Sequence, residues 1–129
     1  MNKHEMVCYN TDASRLIGNS QTVFFPENIK EVQAIVKTSK FDIVPRGAGT
    51  NPAGGCIPKN SIVIDLCKMD NILDFSPVKK QILVEAGITL KELNDKLRKL
   101  NFEFPIYSPE NKISTIGGMI ALNSPGDRS

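Results

Sequence analysis

The sequence predicts an α/β (α+β) fold: a small sheet that starts with a parallel strand–helix–strand unit and carries flanking helices. Three observations lead there. Thr22–Phe25, Ile29–Ser39 and Phe41–Pro45 read in succession as strand, amphipathic helix and strand. Ser61-Ile62-Val63-Ile64-Asp65-Leu66 is a short apolar run of the kind buried in a sheet. Leu90, Leu93, Leu97 and Leu100 recur on one helical face.

Each element has a local cause. Thr22-Val23-Phe24-Phe25 is rich in β-formers and is stopped by Pro26. Asn28 can cap a helix, with Glu31 three places later completing a capping box. Ile29, Val32, Ile35 and Val36 then repeat at helical spacing. Phe41–Pro45 follows as a short strand. A strand–helix–strand unit favours a parallel pair with a right-handed crossover. Ile72–Phe75 and Gln81–Ala86 read as two further strands, separated by Pro77 and the Lys79-Lys80 pair. Gly87 breaks the run. Thr89 and Glu92 form a second capping box, ahead of a helix that ends near Asn101. The leucine stripe of that helix is expected to be core. Phe102–Pro109 is expected to be extended, with two prolines punctuating it.

Composition excludes several functions. At 129 residues and 40% hydrophobic content the chain can bury one core, and a single domain is expected. A net charge of +2 is too small for a nucleic-acid surface. No apolar run is long enough to cross a bilayer. The first residues lead into no secretory signal. Three cysteines without CxxC spacing fit a reducing cytoplasm better than a disulfide framework. The sole histidine, His4, stands near the start, so a histidine triad or zinc site is not expected.

The segment Ile43–Gly55 carries the chemistry. An apolar run ends at Pro45-Arg46 and opens into a loop with four glycines, Gly47, Gly49, Gly54 and Gly55. Glycine admits positive φ and close approach of a ligand to the main chain. Successive free N–H groups make a concave anion site. Such a loop reads either as a phosphate cradle or as a glycine-rich surface turn. It is not a Rossmann fingerprint, because Pro52 stands where the third glycine belongs. Nor is it a Walker loop, because Gly55 stands where lysine belongs. It follows the carboxyl end of a strand, where open α/β sheets bind ligands.

Four ordered blocks resemble the FAD-binding (PCMH-type) domain of the vanillyl-alcohol oxidase / p-cresol methylhydroxylase superfamily. They are most similar to its glycolate oxidase / D-lactate dehydrogenase branch. The blocks are Pro45-Arg46-Gly47-Ala48-Gly49-Thr50 with Gly54-Gly55; Ile64-Asp65-Leu66 with Met69 and Ile72; Val84–Leu90; and Ser114-Thr115-Ile116-Gly117-Gly118 with Asn123. Asp12-Ala13-Ser14 resembles the family's opening. The resemblance covers nearly the whole chain and implies the first subdomain of such a domain. It implies that Arg46, Gly47, Ala48, Gly49, Thr50 and Asn51 wrap the FAD pyrophosphate, mainly through backbone N–H groups, and that Gly54 and Gly55 complete the loop. Thr115, Gly117 and Gly118 are implied to approach the flavin and its ribityl-phosphate chain. Pro105 and Ser108 match, more loosely, a segment along the flavin ring. Asn123 and Ser124 open a block that usually continues with two glycines; Pro125 replaces the first and offers no amide donor.

The family also implies an activity. The complete protein is expected to be an FAD-dependent oxidoreductase that oxidises a 2-hydroxy acid, of glycolate or D-lactate type, and passes electrons to a quinone or protein acceptor. Relatives that tether flavin use a histidine near the loop; none is available, so FAD is expected to bind noncovalently. Cys56 borders the loop and reads either as a flavin attachment point or, more simply, as a small buried thiol. Cys8 and Cys67 are read as small buried thiols too. The second FAD subdomain and the substrate cap are expected to lie outside these residues, and with them the catalytic base. Asp65 and Glu85 are expected to serve structure. No catalytic or metal-binding residue is assigned, and the chain by itself is expected to be inactive. Enolpyruvoyl-glucosamine reductases and the flavin subunits of molybdenum hydroxylases are rival relatives. A rival of another class is a non-catalytic truncated flavin- or nucleotide-binding module, or a subunit whose partner completes the site. A cytoplasmic location is expected, with peripheral membrane association open for the complete enzyme. Apolar surface left uncovered would favour homo-oligomers.

Overall fold

A computed structural model describes residues 5–106 and 112–124. Length predicts one core; the chain instead divides into two compact units, Met1–Lys68 and Met69–Ser129, each with buried apolar residues of its own.

The first unit opens with a 3-10 turn, Glu5–Tyr9. It continues with β1 (Asn19–Phe24), α1 (Ile29–Thr38), β2 (Ile43–Arg46) and β3 (Lys59–Asp65). All three strands are parallel, in the order β1-β3-β2. The expected parallel arrangement holds, but β1 and β2 are not neighbours. β3 separates them. The reason lies in the side chains. Ser61–Asp65 is buried throughout, as suits a strand covered on both faces and paired on both edges. β2 contains Pro45, which cannot donate to a ladder. The Asp42 carbonyl accepts from Ile62 N and the Arg46 carbonyl from Leu66 N, both at 2.9 Å. Pro45 lies out of phase with these, so its missing N–H falls on the open edge. Val23, Val63 and Val44 stand in one row across the sheet.

β1 starts earlier than Thr22 because Asn10 reaches it. The Asn10 Oδ1 accepts from both the amide and the hydroxyl of buried Ser20 at 2.7 Å. Asn28 caps α1 as expected, its Oδ1 accepting from Glu31 N at 3.1 Å. Glu31 does not return to the Asn28 amide; it accepts from Glu27 N and Asn28 Nδ2. No α1 residue is fully buried, and Ile29 and Val36 are exposed.

The second unit pairs β4 (Ile72–Ser76) with β5 (Gln81–Val84) as an antiparallel hairpin. β5 ends at Val84, short of the expected Ala86, although Glu85 N still donates to the Asn71 carbonyl at 2.9 Å and the Glu85 carboxylate accepts from the Asn71 amide at 2.9 Å. α2 (Leu90–Arg98) carries the full Thr89/Glu92 capping box. It stops where Asn101 takes φ +60° and Phe102 N donates to the Leu97 carbonyl at 3.0 Å, a Schellman-type end. Ile88, Leu90, Leu93, Leu97, Ile116 and Met119 form the core. Leu100 is a correction: it lies beyond α2 and is exposed, because the chain turns away before its position on the stripe can face inward. Buried Asn94 accepts from Phe104 N at 2.8 Å and ties the extended segment after α2 to the helix. A short helix, α3 (Ile116–Ala121), closes the unit.

Candidate cofactor-binding site

The predicted positions fall in both units. In the first, β2 delivers Pro45 and Arg46 to the sheet's carboxyl end, and the glycine loop leaves from there. The amides of residues 47–51 have no hydrogen-bond partner among the described residues. Five consecutive amides are therefore free to donate to a ligand. Gly49 (φ +69°) and Gly54 (φ +76°) occupy the left-handed region that other residues resist. A side chain at Gly49 would meet Arg46 Nη2 at 2.3 Å, and one at Gly55 would meet Asn51 Nδ2 at 2.9 Å. Asn51 folds over its own turn, accepting from Ala53 N at 2.8 Å. Such a run of unspent donors suits an anion with several oxygens, and so fits a pyrophosphate.

The Arg46 side chain faces inward. It is buried, with Nη1 donating to the Thr11 carbonyl at 2.9 Å and Nη2 to the Cys8 carbonyl at 3.3 Å. Its guanidinium carbon lies 5.5 Å from the Tyr9 ring centre. Burial and the Asp65 carboxylate push the Tyr9 phenol up, against the Arg46 cation. Arg46 thus spends its charge on holding the chain before β1. The Arg46 side chain therefore points away from the loop's free amides and into the first unit.

Asp12 and Ser14 back the loop, a part that the sequence left without a role. The Asp12 carboxylate accepts from the Ser14 amide at 2.8 Å, from the Ser14 hydroxyl, and from Cys56 Sγ at 3.2 Å. Burial opposes the Asp12 carboxylate, but these donors and the Arg46 charge outweigh it and hold its pKa below the usual range. The Asp-x-Ser pattern of an Asx turn was the available signal. Cys56 is buried as expected, and burial with the Asp12 bond pushes its thiol up. Cys8 and Cys67 are corrections: both residues are exposed, because the 3-10 turn and the stretch after β3 lie at the surface.

In the second unit, Thr115 caps α3 and pairs with Thr89 in an isolated bridge, so the starts of α2 and α3 are joined. The first α3 amides are already used. Ile116 N donates to Ile88, Gly117 N to Ala86, both carbonyls at 2.9 Å, and Gly118 N to Thr115 Oγ1 at 3.3 Å. Gly117 is glycine for packing: a side chain there would stand 2.8 Å from Ala86 Cβ and 2.9 Å from its carbonyl oxygen. These three amides are therefore not free to donate to a ligand. Asn123, at φ +48°, stops α3, and Ser124 N donates to the Met119 carbonyl at 3.0 Å. Both residues border an apolar hollow of about 190 Å³, with Phe104, Ile106, Met119 and Ile120 in its wall. Pro105 lines a neighbouring hollow of about 360 Å³ with Phe75 and Phe102. Ser108 and Pro125 lie outside the described residues. Asp65 and Glu85 serve structure, accepting from Cys67 N and from Asn71 respectively. Among the described residues no cluster of acidic, histidine or cysteine side chains could hold a metal. No described helix is long and apolar enough to cross a membrane.

Residues 20–129 match the FAD binding domain family. A D-lactate dehydrogenase of Archaeoglobus fulgidus is 36% identical over 108 residues, covering 81% of this chain and 24% of that protein. A D-2-hydroxyglutarate dehydrogenase of Xanthomonas citri pv. viticola is 30% identical over 114 residues, covering 85% of this chain and 24% of that protein. Among solved structures, an alkyldihydroxyacetonephosphate synthase superposes with a TM-score of 0.77 at 25% identity, over 83% of this chain and 21% of its own. The chain therefore spans about a quarter of the length of these relatives. The resemblance carried by the four sequence blocks is borne out: this chain belongs to the FAD binding domain family, and its cofactor is FAD.

Proposed function

We propose that this chain is the pyrophosphate-holding first subdomain of a flavin-dependent oxidoreductase that acts on a 2-hydroxy acid. The five unspent amides of residues 47–51 carry the reading. The relatives' names supply the substrate class, and a quinone or protein is the proposed acceptor. Further subdomains of the complete protein would hold the substrate and the base.

The chemistry that bound FAD would supply is hydride acceptance from the carbon bearing the substrate hydroxyl. The chain's own residues bind and orient. Gly47–Asn51 would donate to the diphosphate oxygens, and the positive φ of Gly49 and Gly54 sets the turn that carries those donors. Gly117 and Gly118 would offer the flavin a surface without side chains, and buried Thr115 holds them in place by capping α3. Binding is noncovalent in this reading, which the burial of Cys56 and its bond to Asp12 support. Exposed Ile29 and Val36 support self-association, and a clean monomer by light scattering at high concentration would argue against it.

The test is the visible spectrum of the protein after incubation with FAD and desalting. Retained flavin absorbance in the wild type, and its loss in Gly49→Ala, is expected. A colourless wild type, or an equally yellow variant, sinks the loop assignment. For the complete protein, anaerobic D-lactate and D-2-hydroxyglutarate are expected to bleach the flavin. A flavin that stays oxidised with every 2-hydroxy acid sinks the substrate class.

A further inference from the structure

The acidic side chain behind an anion-binding loop needs an explanation. A carboxylate near a pyrophosphate costs affinity unless it does something a neutral residue could not do as well. Asp12 is already compensated. It lies close enough to Arg46 for that cation to lower its pKa, and it accepts from Ser14 twice and from Cys56 once. One of these bonds reaches the glycine loop itself. Cys56 follows Gly55 at the loop's exit. At its middle, the Ala13 amide donates to the Gly49 carbonyl at 3.1 Å. Arg15 N closes the turn onto the Asp12 carbonyl at 3.1 Å. One short turn therefore grips the loop at its centre and at its exit. With the Gly49 carbonyl turned back toward Ala13, the amides of residues 47–51 are left for a ligand.

We propose that Asp12 is a positioning residue for FAD. Its carboxylate holds the Asp12–Ser14 turn so that Ala13 pins Gly49 and the loop amides are set before the cofactor arrives. Preorganisation of this kind raises affinity by removing the ordering cost from the binding step. The inference rests on the assignment of the pyrophosphate to this loop.

Two measurements separate the inference from that assignment. The first needs no ligand: amide relaxation of ¹⁵N-labelled wild type, Asp12→Ala and Asp12→Asn. The expected result is that residues 47–51 become mobile in Asp12→Ala while the β1-β3-β2 sheet keeps its shifts. Asp12→Asn, which retains an acceptor for Ser14, should restore much of the order. Unchanged loop relaxation in Asp12→Ala overturns the inference, and so does a uniform loss of order across the first unit. The second measurement is FAD affinity by flavin fluorescence. Asp12→Ala should weaken binding about tenfold, the scale of one lost hydrogen bond to a charged group, and Asp12→Asn should recover most of that. If Gly49→Ala leaves FAD affinity intact, the loop assignment fails. If Gly49→Ala weakens binding and Asp12→Ala does not, the positioning role alone fails.

Discussion

Replacing Arg46 by methionine tests whether this arginine is a strut or a phosphate ligand. Methionine keeps an unbranched apolar stem but removes the guanidinium. Three bonds disappear: from Nη1 to the Thr11 carbonyl at 2.9 Å and to Cys56 Sγ at 3.6 Å, and from Nη2 to the Cys8 carbonyl at 3.3 Å. A hydrogen bond to a charged group contributes about 1.5–3 kcal/mol. The two longer bonds contribute at or below the low end, and the cation–π contact with Tyr9 adds about 0.5–1 kcal/mol. These contributions are not additive, so we expect a loss of about 3 kcal/mol. At this chain length that lowers Tm by roughly 10 °C. Arg46→Lys should recover only part, because an ammonium lacks the planar fork that serves two carbonyls at once. Urea and thermal melts followed by circular dichroism read both variants. A variant Arg46→Met within 1 kcal/mol of wild type that has lost FAD binding would falsify the strut reading. Arg46 would then be a direct phosphate ligand.

Three other outcomes follow from the same geometry. Gly117→Ala should destabilise by about 1–3 kcal/mol, because the new methyl meets the Ala86 backbone and that overpacking exceeds the gain in helix propensity; a melt matching wild type refutes the packing argument. Cys67 should resist thiol reagents at pH 8 although the residue is exposed. Burial of its sulfur and the neighbouring Asp65 push the thiol up to about 12, which leaves roughly one thiolate in ten thousand; labelling of Cys67 as fast as Cys8 contradicts this. The depressed pKa of Asp12 makes a stability contribution that is complete above the ordinary value of 3.8 and is lost as pH falls through the lower folded value. Asp12→Asn should therefore flatten the acid limb of a Tm-against-pH curve, and an unchanged limb rules that out.

The sequence carried most of the local structure. Helical spacing placed α1 and α2, and Thr89 with Glu92 marked the start of α2 to the residue. Asn101 marked its end. The glycine loop was legible because positive φ and close packing restrict those positions to glycine. Strand order was not legible: pairing partners leave no local signal, although the unbroken Ile62-Val63-Ile64 run hinted at a central strand. α3 was hidden because Gly117 and Gly118 lower helix propensity, and only contact with Ala86 explains them. The inward turn of Arg46 was hidden too. Beside the Cys56 sulfur, its partners are carbonyl oxygens of Cys8 and Thr11, which residue type does not encode. The same holds for the partners of the first α3 amides, two carbonyls and the Thr115 hydroxyl.

The strand order also governs how the first unit can assemble during synthesis. β1 and β2 leave the ribosome first, yet neither pairs with the other; each pairs only with β3, which is made last. Until β3 arrives, two apolar segments wait without a ladder, and the glycine loop between β2 and β3 has only one anchored end. A nascent chain therefore gains nothing from early strand pairing, and placing β1 requires closing the unit's longest contact, across α1, β2 and the loop. Holding such a chain unpaired is the circumstance in which aggregation competes with folding. Slowing translation after β2 should lower soluble yield, whereas slowing it after β3 should not.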